Sequence, residues 1–267
     1  MREEEQQKPS VHLLQSLVIA CSMYSKIPMP TVSWTEAGMQ YALCFFPVVG
    51  IAVGAVMTAF FWLVTQTGLE PGTVFFSCIG TVIPILITGG IHMDGFLDTA
   101  DARNSHQTRE RKLEILKDPH TGAFAIICCG VYLLLYAAVF SLLNPQAFPA
   151  IAGIYVMTRA VSGWSVVTFP KAKKDGLAKT FASGADVLPV QVTLGLWFAA
   201  GTGYVWLTGG AVTAVLLAVT ALFCAVWYYR MAMREFGGMT GDLAGYFLQT
   251  AELAMLAVLA VCVRMGV

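Results

Sequence analysis

Three aspartates, Asp94, Asp98 and Asp101, recur at i, i+4 and i+7 in the run GGIHMDGFLDTADARNSHQTRERKLEILKDPH, from Gly89 to His120. At about 100° per helical residue they fall within one narrow sector of a helix face. Carboxylates held that closely repel one another unless a cation lies among them. A hard divalent ion such as Mg²⁺ answers that need, because it takes oxygen ligands, keeps waters and is commonly shared with substrate phosphates. A solvated acidic face beside a membrane is the plainer reading. It fits less well, since the acids abut Gly89-Gly90 and a continuous apolar run.

Cations come within a few turns. Arg103 stands nearest the acids and is the first phosphate-binding candidate, with Arg109 and Lys117 behind it. Arg111 and Lys112, interleaved with Glu110, Glu114 and Asp118, read as an exposed amphipathic helix carrying spaced salt bridges. His92 and His120 flank the segment, and His92 is a candidate general base. Far along the chain, Gly237-Gly238-Met239-Thr240-Gly241-Asp242 offers backbone N–H groups, a hydroxyl and a carboxylate just ahead of an apolar run. Such a turn suits a phosphate, through Gly238, Thr240 and Gly241, or completes a metal site through Asp242. By itself it is also an ordinary loop with an Asp N-cap. Arg159 and Glu252 lie inside apolar runs, where an ionisable group costs several kcal/mol unless paired or facing a polar cavity. Arg159 is therefore a substrate-binding candidate and Glu252 a metal-ligand candidate. A structural Arg159–Glu252 pair is the alternative.

The elements that must hold these groups are set by composition. Of 267 residues, 57% are hydrophobic and 12% charged, which places the chain among integral membrane proteins. Sixteen basic and sixteen acidic residues cancel, so no overall field points to nucleic acid. Seven cysteines without Cys-x-x-Cys spacing signal neither zinc nor a disulfide framework. The acidic MREEEQQKPS lacks the form of a cleaved secretion signal. Val11 to Pro30, broken by polar residues and ending Ile27-Pro28-Met29-Pro30, suits an interfacial or re-entrant helix. Long uncharged runs then predict spans over Tyr41–Val64, Thr73–Met93, two between Pro119 and Phe169 divided at Asn144-Pro145, two between Val187 and Tyr229 divided at Thr208-Gly209-Gly210, and Leu243–Val263. Gly50 and Gly54 form a small-xxx-small pair suited to close helix packing. The expectation is an all-α, polytopic membrane bundle of about seven transmembrane helices plus the N-terminal helix, forming one catalytic domain over 1–267.

Lys and Arg collect in cytoplasmic loops. With the N-terminus inside, the Asp-rich segment, the basic loop PKAKKDGLAKTFASGAD and the Arg230–Asp242 loop all fall on the cytoplasmic side. The opposite loops, near Gly68–Gly72, Leu142–Pro149 and Leu207–Gly210, carry no Lys or Arg. All the candidate chemistry thus shares one face of a bacterial or archaeal plasma membrane.

GGIHMDGFLDTADA, RERKLEILKDPHTGAFA and FGGMTGDLAGYFLQTAE closely resemble the cobalamin synthase family, the adenosylcobinamide-GDP ribazoletransferases. The likeness extends to Ile27-Pro28-Met29-Pro30 and to Asp175-Gly176-Leu177 in the basic loop. It implies a membrane-embedded, Mg²⁺-dependent transferase of the last stage of vitamin B12 assembly, which joins adenosylcobinamide-GDP to α-ribazole or its 5′-phosphate and releases GMP. The family's DG-x-x-D-x-x-D pattern maps onto Asp94, Asp98 and Asp101, and its GG-x-TGD pattern onto Gly237, Gly238, Thr240, Gly241 and Asp242. Met93, Ala102-Arg103-Asn104 and Tyr246-Phe247 depart from the usual family residues, and the second departure bears on the role of Arg103. The resemblance is compatible with a homo-oligomer or with association with other cobalamin-assembly enzymes.

CDP-alcohol phosphotransferases and prenyltransferases also hold Mg²⁺ on a diphosphate with Asp-rich helices. The former expect an Ala-Arg pair where Leu97-Asp98 stands. An ion-coupled secondary transporter using Arg159, Glu252 and the acids would need repeats that the chain lacks and mid-membrane acids that it places at one surface.

Overall fold

The computed structural model describes residues 9–68, 74–172 and 184–267. The N-terminal MREEEQQK, most of the Gly68–Gly72 turn, and Lys173, Lys174, Asp175-Gly176-Leu177 and Lys179 of the basic loop lie outside the described residues. Among the described residues the architecture is all-helical: α1 (Pro9–Tyr24), α2 (Glu36–Met39), α3 (Phe46–Gln66), α4 (Val74–Thr88), α5 (Ile91–Asn104), α6 (Arg109–Ile115), α7 (Ala123–Phe140), α8 (Phe148–Thr168), α9 (Val187–Met231) and α10 (Gly241–Met265). A single turn of π-helix, Ala232–Phe236, comes directly after α9.

Apolar side chains occupy both the inside and the outside, as a lipid solvent permits. Leu86, Leu134, Leu196, Leu207 and Phe223 are exposed, while Phe61, Phe76, Phe140 and Phe148 close on one another inside. Helix α8 runs through the centre, buried along nearly all of its length from Phe148 to Val166. It meets α3 at Gly50 and Gly54, where an added Cβ would lie 2.5 Å from the Tyr155 carbonyl oxygen and 2.6 Å from the Ala152 Cβ. The small-xxx-small pair is the packing device that its spacing suggested.

Five helices are long and apolar enough to cross a membrane, or six if the bent pair α4–α5 is one span. The expected count of about seven is not confirmed. The difference lies at Gly210, whose φ of 85° and ψ of 164° interrupt α9. Leu194, Gly195 and Phe198 before the break and Leu222, Ala225, Val226 and Tyr229 after it line one groove beside α8. The chain therefore doubles back at the Thr208-Gly209-Gly210 turn, and the two arms lie within the single apolar stretch Val187–Phe236. Helix α1, at 16 residues, reaches about 24 Å at 1.5 Å per residue and is short for a crossing.

A second correction concerns the expected Thr73–Met93 span. It does not run straight into the acids: α4 ends at Thr88, Gly89 and Gly90 take φ of 65° and 80°, and α5 departs at 99° to α4. Only glycine adopts two successive left-handed conformations without strain. The backbone N–H of Lys26 donates to the Ile87 carbonyl (2.8 Å), and the Lys26 stem lies over Gly89, tying the end of α1 to the bend.

Candidate active site

Two glycines build the site. An added Cβ on Gly95 of α5 would lie 2.7 Å from the Asp242 carbonyl oxygen, and one on Gly245 of α10 would lie 2.9 Å from the His92 carbonyl oxygen. The first turns of α5 and α10 therefore touch backbone to backbone, and Asp242 stands beside the helix that carries Asp94 and Asp98. Asp94 is exposed, Asp98 and Asp242 are half-buried. Asp242 also receives the Thr240 hydroxyl (3.3 Å), and Thr240 caps α10 by accepting from the Leu243 N–H (3.2 Å). The GGMTGD turn is held against the end of α8: Met239 N–H donates to the Pro170 carbonyl (2.8 Å) and Ala172 N–H to the Met239 carbonyl (3.0 Å). Gly238 is buried against this segment, and Gly241 is exposed. Lys171 donates to the Phe169 carbonyl (2.5 Å), and burial holds its ammonium below the ordinary lysine range.

Asp101 has a partner of its own. Its Oδ1 accepts from the Ala125 N–H (3.4 Å) at the start of α7. An added Cβ on Gly122 would fall on the Asp101 carboxylate, so the carboxylate fills the place a side chain would take. An anion there complements the positive end of α7. Gly122→Ala should displace the carboxylate and cost about 0.5–2 kcal/mol, the worth of a helix N-cap. Thermal unfolding in lipid checks this, and an unchanged transition would contradict it.

The cations are more fully engaged than their spacing suggested. Arg103 donates through Nε and Nη2 to Glu235 (3.0–3.2 Å) and through Nη1 to the Tyr246 hydroxyl (2.8 Å), with Trp227 and Tyr246 rings 5.5 Å from its guanidinium. Lys112 Nζ donates to the same carboxylate (3.0 Å). Arg109 Nη2 donates to the Met233 carbonyl (3.3 Å) in the π-turn. Arg111 pairs with Glu114 (2.7 Å) and His120 with Asp118 (2.7 Å), both on the surface. Lys117 is exposed at the far end of α6.

His92, in the first turn of α5, is buried, stacked on Tyr24 (6.1 Å between ring centroids) and near Phe46 (5.6 Å), and its Nε2 has no hydrogen-bond partner among the described residues. Arg159 and Glu252, each almost fully buried, pair at 2.6 Å. Arg159 Nη1 also donates to the Tyr155 carbonyl (3.0 Å), and the Thr158 hydroxyl reaches Glu252 (3.4 Å). Tyr136 and Tyr155 share a hydroxyl contact (2.9 Å), and Tyr132 donates to Gln249. A polar seam thus runs through the bundle interior. Sequence reading missed Glu235, Tyr246, Trp227 and Lys171 as members of the site region, because no local pattern joins positions 132 residues apart.

The carboxylates of Asp94, Asp98 and Asp242 on the facing helix starts are oxygen donors of the kind a hard divalent ion takes. Among the described residues no three His, Cys, Asp or Glu side chains are gathered around one point. Mg²⁺ is commonly held by one or two carboxylates together with substrate phosphates, and such a site needs no complete protein cage.

A family model described as cobalamin-5-phosphate synthase matches residues 16–260. A protein of Lachnoclostridium phytofermentans named adenosylcobinamide-GDP ribazoletransferase is 47% identical over 256 residues, covering 95% of each chain. Proteins of the same name from Brevibacillus brevis and Ralstonia nicotianae are 30% and 33% identical, covering 92% of this chain and 98% and 94% of theirs. No solved structure matches the chain.

Proposed function

The chain belongs to the cobalamin-5-phosphate synthase family, and from that membership we propose that it joins adenosylcobinamide-GDP to α-ribazole or α-ribazole 5′-phosphate with release of GMP. It is a membrane transferase of the final stage of cobalamin biosynthesis. The observation that carries the reading is the backbone contact of Gly95 with Asp242, which unites the DG-x-x-D-x-x-D and GG-x-TGD motifs in one site. Relatives that share one name along nearly the whole chain leave the phosphotransferase, prenyltransferase and transporter alternatives unfavoured.

The reaction is substitution at phosphorus, with a ribose hydroxyl attacking the pyrophosphate and GMP leaving. Bound Mg²⁺ would neutralise charge on the pyrophosphate. Asp94, Asp98 and Asp242 would hold it, and Asp101, farther along α5, ties that helix to the start of α7. Proton acceptance falls to a carboxylate at this surface, since His92 is enclosed by Tyr24 and Phe46. Thr240 orients Asp242. The positive-inside pattern supports a cytoplasmic position for this surface. Arg103 and Arg159 are held by Glu235 and Glu252, so they act on the substrate only through the groups they position.

The test is direct. Purified protein in lipid, given adenosylcobinamide-GDP, α-ribazole 5′-phosphate and Mg²⁺, should form the cobalamin 5′-phosphate product with one GMP per turnover. Absence of both products under conditions where the Lachnoclostridium phytofermentans protein turns over would overturn the reading.

A further inference from the structure

Three cations of the polar segment converge on one turn. Arg103 at the end of α5 and Lys112 of α6 both bond Glu235, and Arg109 bonds the Met233 carbonyl of the same π-helical turn. That turn leads through Gly237-Gly238-Met239 to Thr240 and Asp242. π-helical turns cluster at functional sites because their extra residue re-aims the chain beyond them. Here Glu235 is half-buried and shared by two cations, one of which, Arg103, is itself steadied by donating to the Tyr246 hydroxyl. We propose that Glu235 is a positioning residue, whose clamp by Arg103 and Lys112 fixes the GGMTGD turn and so sets Asp242 against Asp94 and Asp98. The proposal rests on the transferase reading for its kinetic consequence, though not for its structural one.

The physical reason is the turn's own weakness. Gly237 and Gly238 take φ of 78° and 157°, so the turn keeps one course only while both its ends are held, and the Met239 bonds to Pro170 and Ala172 hold just the far one. Something must hold the helix end that precedes it. Charge-assisted hydrogen bonds to a partly desolvated carboxylate are the stronger kind. Arg109 adds to the hold by donating to a carbonyl near the C-terminal end of α9, the end that favours cations.

Glu235→Gln keeps the shape and removes the charge. Amide hydrogen exchange of residues 237–241, in the full chain in lipid, should quicken by about tenfold or more, while the middle of α10 keeps its wild-type rate. In GMP release, kcat should fall by roughly tenfold with KM for adenosylcobinamide-GDP within about twofold, as expected when catalytic groups are misplaced and binding is not. Adding Arg103→Gln to Glu235→Gln should cost clearly less than the sum of the two single losses, because the Arg103–Glu235 bonds are already broken in each. Wild-type exchange in the turn, equal quickening throughout the bundle, or additive losses would each overturn the proposal. The exchange readout holds even for a protein that forms no GMP, so failure of the clamp and failure of the transferase reading are told apart.

Discussion

Asp98→Asn and Asp94→Asn are each expected to lower kcat for GMP release by on the order of 10²–10³, the loss typical when one charge-stabilising group is removed from a preorganised site. Asparagine preserves volume and one oxygen but not the charge that would balance a cation on the pyrophosphate. The backbone contact of Gly95 with Asp242 does not involve these side chains, so helix placement should survive. Asp94 is exposed, and its substitution should move stability by no more than about 0.5 kcal/mol. Asp101→Asn is expected to behave differently: its carboxylate accepts from the start of α7, so part of its effect appears as a lowered unfolding temperature. The measurement is steady-state GMP release by variants whose insertion and thermal unfolding match the parent. Rates near wild type in both Asp94→Asn and Asp98→Asn would remove these carboxylates from the chemistry.

Local pattern made half of this site legible. The i, i+4, i+7 acids are a one-helix feature, so their shared face is a consequence of helical geometry alone, whereas the N-cap expected of the Asp falls on Thr240, with Asp242 in the first turn. The positive-inside pattern likewise brought three distant polar segments to one side. Contacts at that end of the bundle agree, joining Arg103 to Glu235 and Met239 to Pro170. The features that escaped were set by backbone torsion and by distance in sequence. The apolar run through Thr73–Met93 gives no hydropathic sign of the 99° bend, which depends on two successive positive φ values at Gly89 and Gly90. Nor does composition distinguish a cation that meets substrate from one that meets a carboxylate elsewhere in the chain. Arg103, Arg109 and Lys112 read as phosphate binders or topology signals, and the fold uses them to hold the π-turn.

Arg159→Met is expected to destabilise the bundle by about 3–5 kcal/mol, the usual consequence of leaving one member of a buried ion pair unpartnered. Arg159 and Glu252 are almost fully buried and 2.6 Å apart, and the Thr158 hydroxyl and the Tyr155 carbonyl do not replace a full charge. Glu252→Gln should cost a comparable amount, because it strands the guanidinium in the interior between α8 and α10. The double variant Arg159→Met/Glu252→Met should recover most of the loss, since apolar packing of similar volume often equals or exceeds a buried pair in stability. Raising the salt concentration should leave the cost nearly unchanged, because counterions do not reach a buried pair. Denaturant unfolding in mixed micelles reads all three variants, and a single-variant loss under about 1 kcal/mol would contradict the argument. The double variant also separates the two roles open to these residues. With the pair structural, stability and GMP release return together. With Glu252 holding a metal ion or Arg159 a phosphate, stability returns and activity does not. The separation from Asp94 and Asp98, and the engagement of the Glu252 carboxylate by Arg159 and Thr158, favour the first outcome.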